Sequence, residues 1–217
     1  MHIKFHKIRE SVINTGIDML NSQLVVGTWG NISARVPDED CIAITPSGVD
    51  YNNIIPEDII IMDMDGNIID GDKKPSIEYN LHLAIYKARA DVNAIVHTHS
   101  TYCTAMAIAR KSIPGAAEDL VQIVGGDVKV SEYVLPGTKE LGEAAVKALE
   151  GRNACILANH GCLAASRNLK ETLKTALIVE KSAKATIYAQ MMGGVVELSQ
   201  DDIDFMRDFY LNKYGQR

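Results

Sequence analysis

Residues 94–103 read AIVHTHSTYC, an apolar run from Ala94 to Val96 that passes directly into two histidines one residue apart, His97 and His99. The run predicts a buried strand. Side chains alternate along a strand, so both imidazoles project from one face about 6–7 Å apart, a spacing that suits two ligands of one ion. His160 supplies a third imidazole. It too follows an apolar strand, ACILAN (154–159), and precedes a glycine that lets the chain turn away. Glu78, opening a helix after KPS (74–76), offers a carboxylate upstream. Three imidazoles and one carboxylate make a tetrahedral set fitted to zinc or another borderline first-row ion. A lone histidine is more often a hydrogen-bonded core residue. A same-face pair with a third at another strand end weighs toward the metal. His2, His6 and His82 have no such partners and are expected as surface or helix residues.

The chain around this strand alternates hairpins with helices. Phe5, Ile8, Val12, Ile17 and Leu20 recur at helical spacing, which predicts an amphipathic helix from Lys4 to Leu20. VVGTWGNISARV (25–36) and CIAITPSGVDY (41–51) each join a short strand to a small-residue loop, and DIIIMDMDGNIID (58–70) reads as a hairpin turning at Asp65-Gly66 or Gly66-Asn67. Pro75-Ser76 is expected to start a helix running to about Ala90, and Lys139–Leu149 a second one that Gly151 ends. Asn168 with Glu171 is a capping pair for a long helix reaching toward Met192, and Ser199 with Asp202 opens the last. Because strands come in hairpins as well as between helices, the expected fold is α/β: a mostly antiparallel central sheet covered by helices on both faces, three layers in all. The absence of repeats, low-complexity segments and linkers implies one domain spanning residues 1–217.

Composition narrows the function. At 217 residues, 47% hydrophobic and 6% aromatic, the chain has one sizeable aliphatic core. Its net charge of -6 is spread out, with no basic run for a polyanion, so nucleic acid is not an expected partner. No stretch reaches the roughly 20 apolar residues of a membrane span, and MHIKFHKIRE lacks the apolar centre of a secretory signal, so the expectation is a cytoplasmic protein with no membrane partner. Cys41, Cys103, Cys155 and Cys162 form no CxxC pair and read as reduced thiols.

A second theme is a set of small polar loops: GTWGN (27–31), TPSG (45–48) and KPS (74–76). Each exposes hydroxyl or amide donors with little bulk, and Ser76 lies at an expected helix start, where amides and the dipole favour an anion. Singly each is a turn; only convergence beside the metal makes a phosphate cradle.

GTWGNIS, ITPSG, PSIE, HTHS and NHG, in this order and at these intervals, resemble the class II aldolase and adducin head family, with the L-fuculose-1-phosphate aldolases as its nearest type. The resemblance runs from Gly27 to the C-terminal NKYG and implies the class II aldolase fold. It implies that His97, His99, His160 and Glu78 bind a divalent ion, usually zinc, and that Thr28, Gly30, Asn31, Ser47, Gly48 and Ser76 hold a substrate phosphate. It further implies a homotetramer whose sites lie at subunit boundaries. Ile77 departs from the family's second serine and removes one phosphate donor. Glu118 stands where a tyrosine donates a proton across the interface, whereas Tyr214 matches the family's C-terminal tyrosine.

The implied activity is zinc-dependent, reversible cleavage of a ketose 1-phosphate such as L-fuculose 1-phosphate to dihydroxyacetone phosphate and an aldehyde. The metal serves as Lewis acid, no Schiff-base lysine is required, and Glu78 is the base once substrate displaces it from the ion. Glu118 or Tyr214 is the proton donor. Glu118 keeps a related reaction, dehydration of methylthioribulose 1-phosphate, as an alternative, whereas a 4-epimerase has aspartate where this chain has Glu78. A non-catalytic adducin-like module shares the fold, but it need not retain the four ligands.

Overall fold

Alternating burial builds the centre of the molecule. In a computed structural model that describes residues 3–215, the chain runs α1 (Ile3–Asn21), β1 (Asn31–Arg35), β2 (Cys41–Ile44), β3 (Ile60–Asp63), β4 (Ile68–Asp70), α2 (Tyr79–Ala88) and β5 (Ala94–Thr98). It continues through α3 (Thr101–Ala109), α4 (Glu118–Val124), α5 (Lys139–Leu149), β6 (Ala154–Leu157), β7 (Gly161–Ser166), α6 (Leu169–Met191) and α7 (Gln200–Asn212). The strands form one seven-stranded sheet in the order β4-β3-β2-β1-β5-β7-β6, and every neighbouring pair is antiparallel.

Successive side chains serve opposite faces. Ile42, Ile44, Ile60, Met62 and Ile95 pack with Leu81, Ile85, Leu141 and Leu149 of α2 and α5. Their sequence neighbours Ala43, Ile61, Ala94 and Val96 pack with Phe5, Val12 and Met19 of α1 and Ala176 of α6. Toward β6, α3 extends this second layer through Cys103 and Met106 against Ile156 and Val179. Each fully buried isoleucine contributes about 1.5–3 kcal/mol, which explains why strands covered on both sides read as continuous apolar runs. The expected class, three-layer α/β/α on an antiparallel sheet, is the one observed.

Two local expectations change. The helix expected from Pro75-Ser76 begins at Tyr79, because residues 74–76 pair with the TPSG loop instead: Ser47 N–H donates to Lys74 O and Ser76 N–H to Thr45 O, both at 3.0 Å. The β3–β4 connection is a four-residue loop, 64–67, in which Gly66 takes φ 90° and Asp63 Oδ1 accepts from Asp65 and Asn67 N–H. The turn expected after ACILAN is that of the β6–β7 hairpin, with His160 in it. The caps at Asn168 and Ser199 form as expected, each side chain accepting from the N–H three residues on.

Candidate metal centre and active site

His97, on β5, shares its face of the sheet with Ile95 and so points toward the α2 layer. Its register partners are Asn31 on β1 and Leu163 on β7. His99 follows just past the strand end, His160 comes from the β6–β7 turn, and Glu78 immediately precedes α2. His97 Nε2 lies 3.0 Å from His99 Nε2, 3.2 Å from His160 Nε2 and 3.3 Å from Glu78 Oε2. His160 Nε2 stands 3.5 Å from Glu78 Oε1. On a tetrahedral ion with arms of about 2.0–2.1 Å, ligand atoms stand about 3.3–3.4 Å apart, so the four groups are spaced as one ion requires.

The backbone sets one proton position at the centre of the cluster. His97 Nδ1 donates to Cys162 O at 3.0 Å, which leaves Nε2 as a lone pair facing the other three groups. Burial pushes the His97 imidazole well below its ordinary pKa, with His160 and His99 adding to the effect, and pushes His99 down to about 4. Burial also lowers His160, partly offset by Glu78. With the protons of His99 and His160 also on Nδ1, four electron pairs turn on one point, the arrangement that a cation completes. Glu78 Oε1 and His160 Nδ1 are buried with no hydrogen-bond partner. The cluster is therefore able to hold one divalent ion.

A cleft of about 400 Å³ opens over the cluster, lined by Thr28, Gly30, Asn31, Ser47, Gly48 and Ser76 together with Glu78, His99 and His160. All six residues expected to bind phosphate thus converge beside the four expected ligands. Two glycines allow the approach. A Cβ at Gly30, where φ is 76°, would stand 2.6 Å from His97 O, and one at Gly161 would stand 2.2 Å from Thr98 O. Asn31 lines the cleft, but its side chain is committed elsewhere: Nδ2 donates to Glu78 Oε2 at 2.8 Å, and Oδ1 stands 2.5 Å from His82 Nε2. Ile77 is exposed on the rim in place of the missing serine.

Glu118 and Tyr214 are not brought to this cleft within the chain. Glu118 is exposed at the start of α4, which packs on α6 and α7, and Tyr214 is exposed and stacks on Tyr210 with ring centroids 5.6 Å apart. Sequence reasoning missed Trp29, whose exposed ring lies 5.4 Å from that of His99, and it missed Pro136 and Asn159 on the cleft wall. His82, expected to be an unpartnered helix or surface histidine, is a helix residue but is fully buried and partnered. His6 is half-buried on α1 beside Glu10, and His2 lies outside the described residues.

Residues 10–187 match the model of the class II aldolase and adducin N-terminal domain. The chain belongs to that family. It is 36% identical over 211 residues to a 5-deoxy-D-ribulose 1-phosphate aldolase of Bacillus thuringiensis serovar kurstaki, covering 97% of this chain and 98% of the relative. It is 36% identical to the L-fuculose phosphate aldolase of Escherichia coli K12 over 82% of each chain. A solved L-fuculose 1-phosphate aldolase superposes with a TM-score of 0.92 at 38% identity, over 94% of this chain and 96% of that one. As a class II aldolase the chain is an enzyme of the aldehyde-lyase type, and class II aldolases use a divalent metal, for which the histidine–glutamate cluster is the site able to serve.

Proposed function

We propose that this class II aldolase is a zinc enzyme that reversibly cleaves a ketose 1-phosphate to dihydroxyacetone phosphate and an aldehyde. The observation that carries the proposal is the convergence of three imidazole nitrogens and a carboxylate, 3.0–3.5 Å apart where they approach most closely, under a cleft walled by small hydroxyl-bearing loops. No thiolate belongs to the cluster, and the nitrogen-rich set suits zinc. Relatives named for 5-deoxy-D-ribulose 1-phosphate and for L-fuculose phosphate support a ketose bearing a 1-phosphate and a methyl-terminated or otherwise short aldehyde half.

In this reading His97, His99, His160 and Glu78 hold the ion, which when bound supplies a Lewis acid for the negative charge left by carbon–carbon cleavage. Thr28, Ser47 and Ser76 turn hydroxyls to the phosphate, while Gly30 and Gly48 keep the loops low enough for it to enter. In the condensation direction Glu78 Oε1, which has no hydrogen-bond partner of its own, takes the proton from the hydroxymethyl carbon of dihydroxyacetone phosphate, and in cleavage it returns it. Ile77 narrows the rim with apolar surface where the family offers a second hydroxyl.

The enzyme works as a cytoplasmic homotetramer in this reading, with Glu118 or Tyr214 of a second copy donating the proton that the chain's own cleft lacks. Exposure of both residues away from that cleft, and the exposed Trp29, Ile77, Tyr133 and Leu135, support an assembled state. Among the described residues no helix is long and apolar enough to cross a membrane.

Incubation with 5-deoxyribulose 1-phosphate and with L-fuculose 1-phosphate, coupling dihydroxyacetone phosphate to NADH oxidation, tests the reading. Release of dihydroxyacetone phosphate from one of them is the expected result. Loss of water with no carbon–carbon cleavage would instead favour the dehydratase, and sedimentation of a fully active monomer would end the shared-site proposal.

A further inference from the structure

A buried chain of polar groups stands behind Glu78. Asn31 Nδ2 donates to Glu78 Oε2, and Asn31 Oδ1 meets His82 Nε2. On the far side of the ring, His82 Nδ1 lies 2.6 Å from Ser33 Oγ, which lies 2.9 Å from the Tyr86 hydroxyl. Asn31, Ser33, His82 and Tyr86 are all buried, His82 and Ser33 completely. The geometry is built by two periodicities: Asn31 and Ser33 share one face of β1, and His82 and Tyr86 share one face of α2. The same helix carries Glu78 at its start, and the same strand carries Asn31 as register partner of His97.

We propose that His82 is a positioning residue for the lyase reaction: by donating from Nε2 it fixes the Asn31 amide so that Nδ2, not Oδ1, faces Glu78. The inference rests on the reading of Glu78 as ligand and base. The ends of the chain of groups dictate its polarity. A carboxylate only accepts, so the amide nitrogen must face Glu78 and the amide oxygen must face the ring. Burial pushes the His82 pKa down to about 3, so at neutral pH the ring carries one N–H. That N–H sits on Nε2. Nδ1 then accepts from the Ser33 hydroxyl, and Ser33 accepts from the Tyr86 hydroxyl. The opposite tautomer sets two acceptors against each other at 2.5 Å, or flips the amide and aims its oxygen at the carboxylate. Either change releases Oε2. With the chain intact, Oε2 is anchored and Oε1 is the oxygen left for substrate chemistry.

Two measurements on the zinc-loaded enzyme test this. In nitrogen-15 NMR of histidine-labelled protein at neutral pH, assigned by the loss of its signal in His82→Gln, His82 is expected as a neutral Nε2–H tautomer. A Nδ1–H tautomer or an imidazolium would overturn the proposal. In kinetics, His82→Leu is expected to lower kcat by about 10- to 100-fold, with KM and zinc content unchanged, the range for groups that orient a metal's ligands. His82→Gln, whose amide N–H reaches the same Asn31 oxygen, is expected to recover most of that loss. Wild-type kcat in the leucine variant, or an equal loss in both variants, would also overturn it. Should the leucine variant not fold, the tautomer decides alone. A wild type without lyase activity on any ketose phosphate would defeat the functional reading instead, leaving the tautomer result standing.

Discussion

The two ends of the sheet carry two cavities of opposite character. Between α1, the 36–40 loop and the start of α6 lies a groove of about 1100 Å³, more than twice the size of the cleft at the histidine end. Size would choose the groove, but chemistry chooses the cleft. Around the groove several charged groups are paired with protein partners: Arg35 donates to Val92 O and Tyr86 O and lies over the Tyr86 ring, Lys4 pairs with Glu39, and Arg167 with Glu171. At the cleft, four lone-pair-bearing groups face one another, and two buried polar atoms have no partner. Converging ligand groups with buried atoms left unpartnered among them mark a place that a ligand can complete, so electrostatic frustration locates the site better than volume does.

Substitutions at the two ends should separate them by orders of magnitude. His97→Ala or His160→Ala is expected to lower kcat by roughly 10⁴-fold, because a three-ligand remnant loses the ion and the Lewis acid it supplies. Metal content measured beside turnover checks this, and either variant at wild-type turnover would reassign the ligands. Next, Glu78→Gln is expected to lower kcat by about 10³-fold, within the range for a general acid–base group, as read by steady-state kinetics in both reaction directions.

A smaller effect is expected on the cleft wall. Ser76→Ala should raise KM for the sugar phosphate about tenfold, the loss of one hydrogen bond to a charged group, while metal content stays constant. At the other end, Asp40→Ala and Lys170→Ala should leave kcat and KM within about twofold of wild type, as surface changes do. A large kinetic effect from either would break the contrast between the two cavities.

The sequence made the candidate metal centre legible because its signal is local. His97 and His99 share a strand face by alternation, and His160 sits between an apolar run and a glycine. The alternating strands and capped helices were legible for the same reason. His82 was not, since its partners Asn31 and Ser33 lie about fifty residues away and a lone helical histidine carries no local mark. Its one trace is that His82 and Tyr86 are four apart on a helix while Asn31 and Ser33 are two apart on a strand. The start of α2 differs from the expected one for a related reason. Pro75-Ser76 has the composition of a helix start, but pairing of 74–76 with 45–47 recruits those residues to the loop layer of the cleft. Glu118 and Tyr214 entered through resemblance alone, and one chain does not carry them to the cleft.

Metal removal tests the central claim most directly. The account predicts about one zinc per chain by elemental analysis, loss of dihydroxyacetone phosphate release after chelation, and recovery on adding one equivalent of zinc. A purified protein without stoichiometric metal, whose turnover is indifferent to chelator, would contradict it.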